Sequence, residues 1–130
     1  MRNVLLAIGI ATALVAGCDK QLDRKKLVGK IKDLHALAAE TRLLTEQEDR
    51  GGVPGPYSRV HRHMLLGKVK DARKDLSQGV RDDSLTSTLR RAQALADSLG
   101  PAIRDGANRH QLLEIETDLE RLETIEKDPP

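Results

Sequence analysis

Four stretches of the chain place aliphatic residues at alternating intervals of three and four, and the longest passes through Leu27, Ile31, Leu34 and Ala38 to Thr45. An α-helix turns once every 3.6 residues, so this spacing brings all of these side chains to one face. The stretch predicts an amphipathic helix over about residues 20–50. Because such a helix is stable in water only when its apolar face is covered, the chain must fold by packing helices together.

Three further stretches show the same spacing and predict helices over about residues 58–78, 84–99 and 108–127. In the second helix the apolar stripe contains Val60 and either Met64 or Leu65. In the fourth it ends at Ile125. Each stripe covers one side of its helix only, so each helix needs neighbours.

The predicted boundaries carry residues that favour the ends of helices. Glycines follow the first three helices, at Gly51-Gly52, Gly79 and Gly100-Pro101. Glycine adopts the left-handed conformation that closes a helix, and proline rarely continues one. Asp82 to Ser84 offer caps for the third helix, and Asn108, with Gln111 three residues later, forms a capping-box pattern for the fourth.

Four amphipathic helices with short connections predict an all-α fold, an antiparallel up-down-up-down four-helix bundle, as a single domain over residues 18–130. A three-helix bundle with a partly free first helix is the alternative. Tyr57 is the only aromatic residue and the formal net charge is +2. The chain therefore lacks stacking surfaces for bases or flat cofactors, and we expect neither a cofactor nor nucleic acid as its ligand.

Charge is distributed unevenly along the first predicted helix. Its start is basic, with Lys20, Arg24, Lys25, Lys26 and Lys30. Its end is acidic, with Glu46, Glu48 and Asp49, so both ends oppose the helix dipole. In an up-down bundle the basic start lies beside the acidic end of the fourth helix, and the acidic end meets Arg59 and Arg62 of the second. We expect these charges to pair between helices.

Residues 1–17 have the three parts of an export signal: a cation at Arg2, an apolar run that begins at Val4, and small residues at the end. As a helix the run would be about 20 Å long, short of the ~30 Å that a membrane-spanning helix crosses. The next residue is the only cysteine of the chain. Together these residues resemble the lipobox of bacterial lipoproteins, in the form Val15-Ala16-Gly17-Cys18.

In that family the signal peptide is cut just before the cysteine, whose sulfur carries a diacylglycerol and whose new amino terminus is usually acylated. The resemblance implies that residues 1–17 are removed and that Cys18 carries lipid, with palmitate as a typical acyl chain. Asp19 resembles the residue that retains such proteins in the inner membrane, which favours the inner membrane, facing the periplasm, over the outer membrane. The basic helix start, from Lys20 to Lys30, is then expected to face anionic lipid headgroups.

Motifs for catalysis are absent: there is no nucleophile elbow, P-loop, dinucleotide-binding glycine pattern or zinc-protease helix motif. The histidines are the only candidates for site chemistry. His61 and His63 point to different sides of the second helix, and in an up-down bundle His110, at the start of the fourth helix, can approach one of them. The His-x-x-x-His and Glu-x-x-His spacings of helical metal sites are missing, so solvated side chains are the simpler interpretation.

Two functions are compatible with these features. The first is a lipid-anchored protein of the bacterial cell envelope whose bundle is a non-enzymatic interaction or structural module, with membrane lipid and an envelope protein as its partners. The second is a small-ligand or metal-binding bundle that uses the histidine end. The first requires no chemical motif, and we favour it for that reason.

Overall fold

The computed structural model describes residues 21–127. They form four α-helices, which are α1 (Arg24–Asp49), α2 (Gly55–Leu76), α3 (Thr86–Asp105) and α4 (Arg109–Lys127). A 3₁₀ turn over Asp83–Leu85 leads into α3. Helix α1 packs against α4 and α2, and α3 completes the ring between α2 and α4. The predicted four-helix bundle is therefore confirmed, and a partly free first helix is excluded because α1 buries nine of its residues.

Aliphatic side chains from all four helices form one continuous core. The largest fully buried side chains include Leu27, Ile31, Leu65, Leu99 and Leu119. Each fully buried leucine or isoleucine contributes about 1.5–3 kcal/mol through removal of its apolar surface from water. Two of the buried hydroxyls bond back to their own helix, as Thr41 donates to the Leu37 carbonyl at 2.7 Å and Thr45 donates to the Thr41 carbonyl at 2.9 Å. The core therefore holds no unpaired hydroxyl at these two threonines.

The end of α1 follows the glycine signal of the sequence. Gly51 has a φ of 70°, in the left-handed region. Its amide donates to the Glu48 carbonyl at 3.0 Å, and the Gly52 amide donates to the Gln47 carbonyl at 3.0 Å. These two bonds form a Schellman motif, which satisfies carbonyls that the last turn leaves without a helical donor.

Helix α3 is longer than predicted, because it continues through Gly100-Pro101 to Asp105. Proline disfavours a helix partly by a clash between its Cδ and the Cβ of the preceding residue, and glycine has no Cβ. Beyond Pro101, Ala102 and Ile103 are buried, so the added turn completes the core. The actual stop is Gly106, with a φ of 76°.

Helix α2 begins at Gly55, three residues before the predicted start at Ser58. Pro56 lies in its first turn, where backbone amides have no helical acceptor and the missing N–H of proline costs nothing. Of the two candidates for the apolar stripe, Leu65 is fully buried and Met64 is 45% exposed. Val60, also predicted on the stripe, is 72% exposed, because the core-facing side of α2 lies on the other side of the helix.

The start of α4 is capped as predicted, since the Asn108 side chain accepts a hydrogen bond from the Gln111 amide at 2.8 Å. Its end departs from the prediction. Ile125 is 53% exposed, and the neighbouring Glu126 is buried in its place. Among residues 21–127, none of the helices combines the length and the apolar character that a membrane crossing requires.

Candidate functional site

The residues predicted for lipid attachment and sorting, Cys18 and Asp19, lie outside the described residues, as does Lys20. The described chain begins with a fixed point nearby. Leu22 is 3% exposed and belongs to the core. Its amide donates to the Gly79 carbonyl at 2.9 Å, and its carbonyl accepts from the Arg81 amide at 3.1 Å. The α2–α3 connection therefore holds the chain four residues after Cys18.

The predicted basic cluster at the start of α1 divides into two groups. Arg24 pairs with Glu126 of α4, with Nε and Oε2 3.3 Å apart. Lys30 donates to the Asp75 carboxylate of α2 at 2.7 Å, and this hydrogen bond raises the Lys30 pKa. Lys25 and Lys26 are exposed, and neither forms an ion pair within residues 21–127.

Charge pairing between helices is confirmed at both ends of the bundle. At the end that holds Leu22, the Arg24–Glu126 pair is accompanied by Lys32 and Glu123, 3.9 Å apart. At the opposite end Arg62 of α2 pairs with Glu48 of α1. The charged residues at both ends of α1 are unfavourable for its helix dipole, and the neighbouring helices stabilise them with residues of opposite charge.

Glu126 is the buried carboxylate at the Leu22 end. One oxygen accepts a hydrogen bond from the Thr88 hydroxyl of α3 at 2.5 Å, and the other faces Arg24 of α1. Glu126 therefore connects three helices at this end. Periodicity missed it because the stripe of α4 predicts an apolar residue here, and only the placement of α1 and α3 gives a buried carboxylate its partners.

A second charged network joins the middle of α1 to α4. Arg42 contacts both oxygens of the buried Glu116, with distances of 2.6 Å from Nε and 3.3 Å from Nη2. Glu46 accepts from Arg109 at 2.8 Å and from Arg42 at 3.2 Å. Arg109 and, to a lesser extent, Arg42 lower the Glu46 pKa. The carboxylates of Glu116 and Glu46 raise the Arg42 pKa. Such a network fixes the alignment of the two helices.

The histidines do not assemble into a metal site. His61 Nε2 lies 2.8 Å from Glu40 of α1, and the ring of Tyr57 meets the His61 ring edge to face at 5.7 Å. His63 is exposed. His110 is 84% exposed and contacts Glu114 of its own helix at 3.1 Å. Within residues 21–127, no group of three or more His, Cys, Asp or Glu residues is placed to hold a metal ion.

A groove of about 330 Å³ runs between α1 and α2. Its apolar lining is Ala36, Leu37 and Ala72. The carboxylates of Asp33, Glu40, Asp71 and Asp75 line it against two lysines, Lys30 and Lys68. Asp33 and Glu40 are seven residues apart on α1, and Asp71 and Asp75 are four residues apart on α2, so each pair shares a helix face. The sequence could have indicated this spacing. Only the pairing of α1 with α2 brings both sets to one groove. We call it the acidic groove.

A second groove, of about 500 Å³, lies between the start of α3 and the end of α4. Its apolar lining is Ala94, Leu122 and Ile125. The polar lining consists of Arg90 and Arg91 with the hydroxyl residues Ser87 and Thr88, and no carboxylate belongs to the lining, although Arg91 contacts Asp118 and Thr88 contacts Glu126. We call it the basic groove.

Comparison of the chain with models of protein families, with curated proteins and with solved structures found no match. Functional proposals for this chain therefore rest on its sequence signals and on the geometry of these surfaces.

Proposed function

We propose that this chain is a lipid-anchored protein of the bacterial cell envelope, and that its four-helix bundle is a non-enzymatic interaction module held close to the membrane surface. The lipobox resemblance at Cys18 supports the anchor, and one structural observation supports the short distance to the membrane: Leu22 is fixed in the core four residues after Cys18. Four residues span at most about 14 Å when fully extended. A lipid on Cys18 therefore keeps the bundle at the headgroup layer and does not allow it to reach a distant partner.

The signal and the fold support the same orientation. The end of the bundle that holds Leu22 contains the start of α1, the end of α2, the start of α3 and the end of α4. It faces the bilayer when Cys18 is acylated. Lys25 and Lys26 are then the described cations of the basic cluster available to anionic headgroups, because Arg24 and Lys30 are paired within the bundle.

For the interaction module, the acidic groove is the surface that we expect a protein partner to occupy. It combines an apolar floor with four carboxylates and two lysines, so its lining carries two more negative than positive charges. A partner helix that carries lysine or arginine beside small apolar residues is complementary to it in shape and charge. The groove runs along the side of the bundle, so lipid attachment at one end leaves it open.

The first test is Cys18→Ser in cells that export the full chain. We expect the wild-type protein in the membrane fraction with the mass of an acylated, cleaved chain, and the variant in the soluble fraction or as an uncleaved precursor. Ser84→Ala, which alters an exposed residue at the same end of the bundle, is the control and is expected to behave like wild type. A Cys18→Ser protein that is cleaved and stays in the membrane fraction contradicts the proposal.

The second arm of this test addresses the partner. A photo-crosslinking residue at Asp71 in the acidic groove is expected to capture a defined envelope protein, and the same residue at the exposed Ser98 of α3 is not. Substitution of Glu40 and Asp75 by glutamine and asparagine should reduce the crosslink severalfold. Equal crosslinking from Ser98, or no effect of these substitutions, contradicts the assignment of the groove.

A further inference from the structure

The basic groove lies at the same end of the bundle as Leu22. It is bordered by the first turns of α3 and the last turns of α4. The contacts of Glu126 with Thr88 and Arg24 tie these turns to the first turn of α1. The lining residues of α3 span Ser87 to Ala94, which is about 10 Å along the helix axis. The groove is therefore within reach of the headgroup layer when Cys18 is acylated.

The charge of this groove favours an anion. Arg90 and Arg91 are exposed, and no carboxylate is among the lining residues. Arg91 also contacts Asp118 at 3.2 Å, whereas no ion pair of Arg90 is present within residues 21–127. Guanidinium groups bind phosphate with paired N–H donors, and the hydroxyl of Ser87 is a further donor on the same helix.

The remaining lining of the groove is apolar and partly exposed. Ile125, in the last turns of α4, is 53% exposed, whereas its neighbour Glu126 is buried. Leu122, one turn earlier, lies beside it in the groove wall. An exposed isoleucine beside two arginines matches a ligand that is anionic at one point and apolar at the next.

We propose that the basic groove binds the phosphate headgroup of an anionic membrane phospholipid, with Arg90 and Arg91 on the phosphate and with Ile125 and Leu122 against the glycerol and upper acyl carbons. This inference rests on the proposed lipid anchor, which brings the groove to the bilayer. It assigns a second membrane contact, on the side of the bundle opposite the acidic groove, and orients the bundle about its anchor.

Tryptophan fluorescence provides a direct test, because the chain contains no tryptophan. The full chain with the substitution Ile125→Trp is produced in cells, and the processed protein is purified. It is then reconstituted in phosphatidylcholine vesicles that contain brominated acyl chains and increasing fractions of phosphatidylglycerol. We expect quenching that grows with the phosphatidylglycerol fraction. Val60→Trp, at the opposite end of the bundle and 72% exposed, is the control and is expected to show none. Ser87→Trp reads the same groove from α3 if Ile125→Trp does not fold.

Two substitutions test the arginines. Arg90→Gln and Arg91→Gln should each raise the phosphatidylglycerol fraction required for half-maximal quenching about fivefold, the contribution of one cation at an anionic surface. Arg121→Gln, which removes the same charge from an exposed arginine that also contacts Asp118, is the matched control and is expected to change this fraction little.

The outcomes separate the groove from the anchor. Protein that does not float with phosphatidylcholine vesicles contradicts the lipid anchor and the groove assignment with it. Protein that floats but shows no quenching at Ile125→Trp, or equal effects of Arg90→Gln and Arg121→Gln, contradicts the groove assignment alone. Inorganic phosphate that abolishes the quenching at millimolar concentration would identify the groove as a site for free phosphate and overturn the lipid assignment.

Discussion

Glu46 of α1 has two arginines as hydrogen-bond partners, one on its own helix and one on α4. The nearer contact, from Arg109, crosses from a helix that is 63 residues away in the sequence. Because both arginines favour the charged carboxylate, the Glu46 pKa is lowered from its ordinary value of 4.5. A carboxylate with a lowered pKa stabilises the fold above its unfolded-state pKa, and this contribution is lost as the pH falls through the folded-state pKa.

We expect Arg109→Gln to raise the Glu46 pKa towards 4.5, because it removes the largest of the contributions that lower it. An NMR titration of the Glu46 side-chain carboxyl resonance, at about ten pH values between roughly pH 2 and pH 7, measures this pKa directly. Arg104→Gln, which removes an exposed arginine that pairs with its neighbour Asp105, should leave it unchanged. An equal change in both variants would mean that net charge, and not the Arg109 contact, sets the pKa.

Helix α3 contains the strongest conflict between local preference and packing. Proline in a helix interior lacks the N–H that bonds to the carbonyl four residues earlier, here that of Asp97. Pro101 is exposed, whereas Ala102 and Ile103 beyond it are buried. The apolar area that the last turn buries outweighs the missing hydrogen bond, so α3 continues to Asp105.

Pro101→Ala is therefore expected to stabilise the protein. Proline costs about 3 kcal/mol relative to alanine in a helix interior, and its stiffness in the unfolded chain returns up to about 1 kcal/mol. Because Gly100 removes the clash with a preceding Cβ and so part of this cost, we expect a net gain of about 1–2 kcal/mol in the free energy of unfolding, measured by urea denaturation. Pro56→Ala, in the first turn of α2, is the matched control and should change stability by less than about 1 kcal/mol. A gain of similar size at both prolines contradicts this account.

At the scale of the whole molecule, charge pairs between helices align the bundle where the core is uniformly aliphatic. The Arg42–Glu116 pair joins residues 74 positions apart in the sequence, and Glu116 is buried. Leucine-rich stripes can slide past each other by one turn at modest cost, whereas a bidentate pair tolerates no such slip. The alignment of α1 and α4 therefore depends on this pair as well as on the core.

A charge exchange tests this alignment. Arg42→Glu should lower the free energy of unfolding by about 2 kcal/mol or more, because it leaves the buried Glu116 without its partner. Adding Glu116→Arg should restore part of the loss, with a coupling of about 1–3 kcal/mol in the double-mutant cycle. The exposed pair Arg73–Asp97 is the control, where the coupling should stay below about 1 kcal/mol. Coupling no larger than in the control would show that Arg42 and Glu116 do not meet as described.

The existence of four helices and the glycine stop after α1 could be predicted from residue spacing, because amphipathic periodicity and left-handed glycines act locally. Spacing could not predict that α3 passes through Pro101, since the decision rests on what Ile103 meets on other helices. It could not separate Met64 from Leu65, adjacent residues of which only one faces the core. The buried Glu126 was missed for the same reason, because its partners come from α1 and α3.

The sequence by itself determined the helical class, the number of helices, the charge gradient along α1 and the lipobox resemblance at Cys18, because each depends on residues close together or on patterns along one helix. Only the tertiary structure decided which cations at the start of α1 are paired and where the chain after Cys18 is fixed. It also brought carboxylates to one groove and arginines to another. These features depend on which helix faces which, and no single helix contains that information.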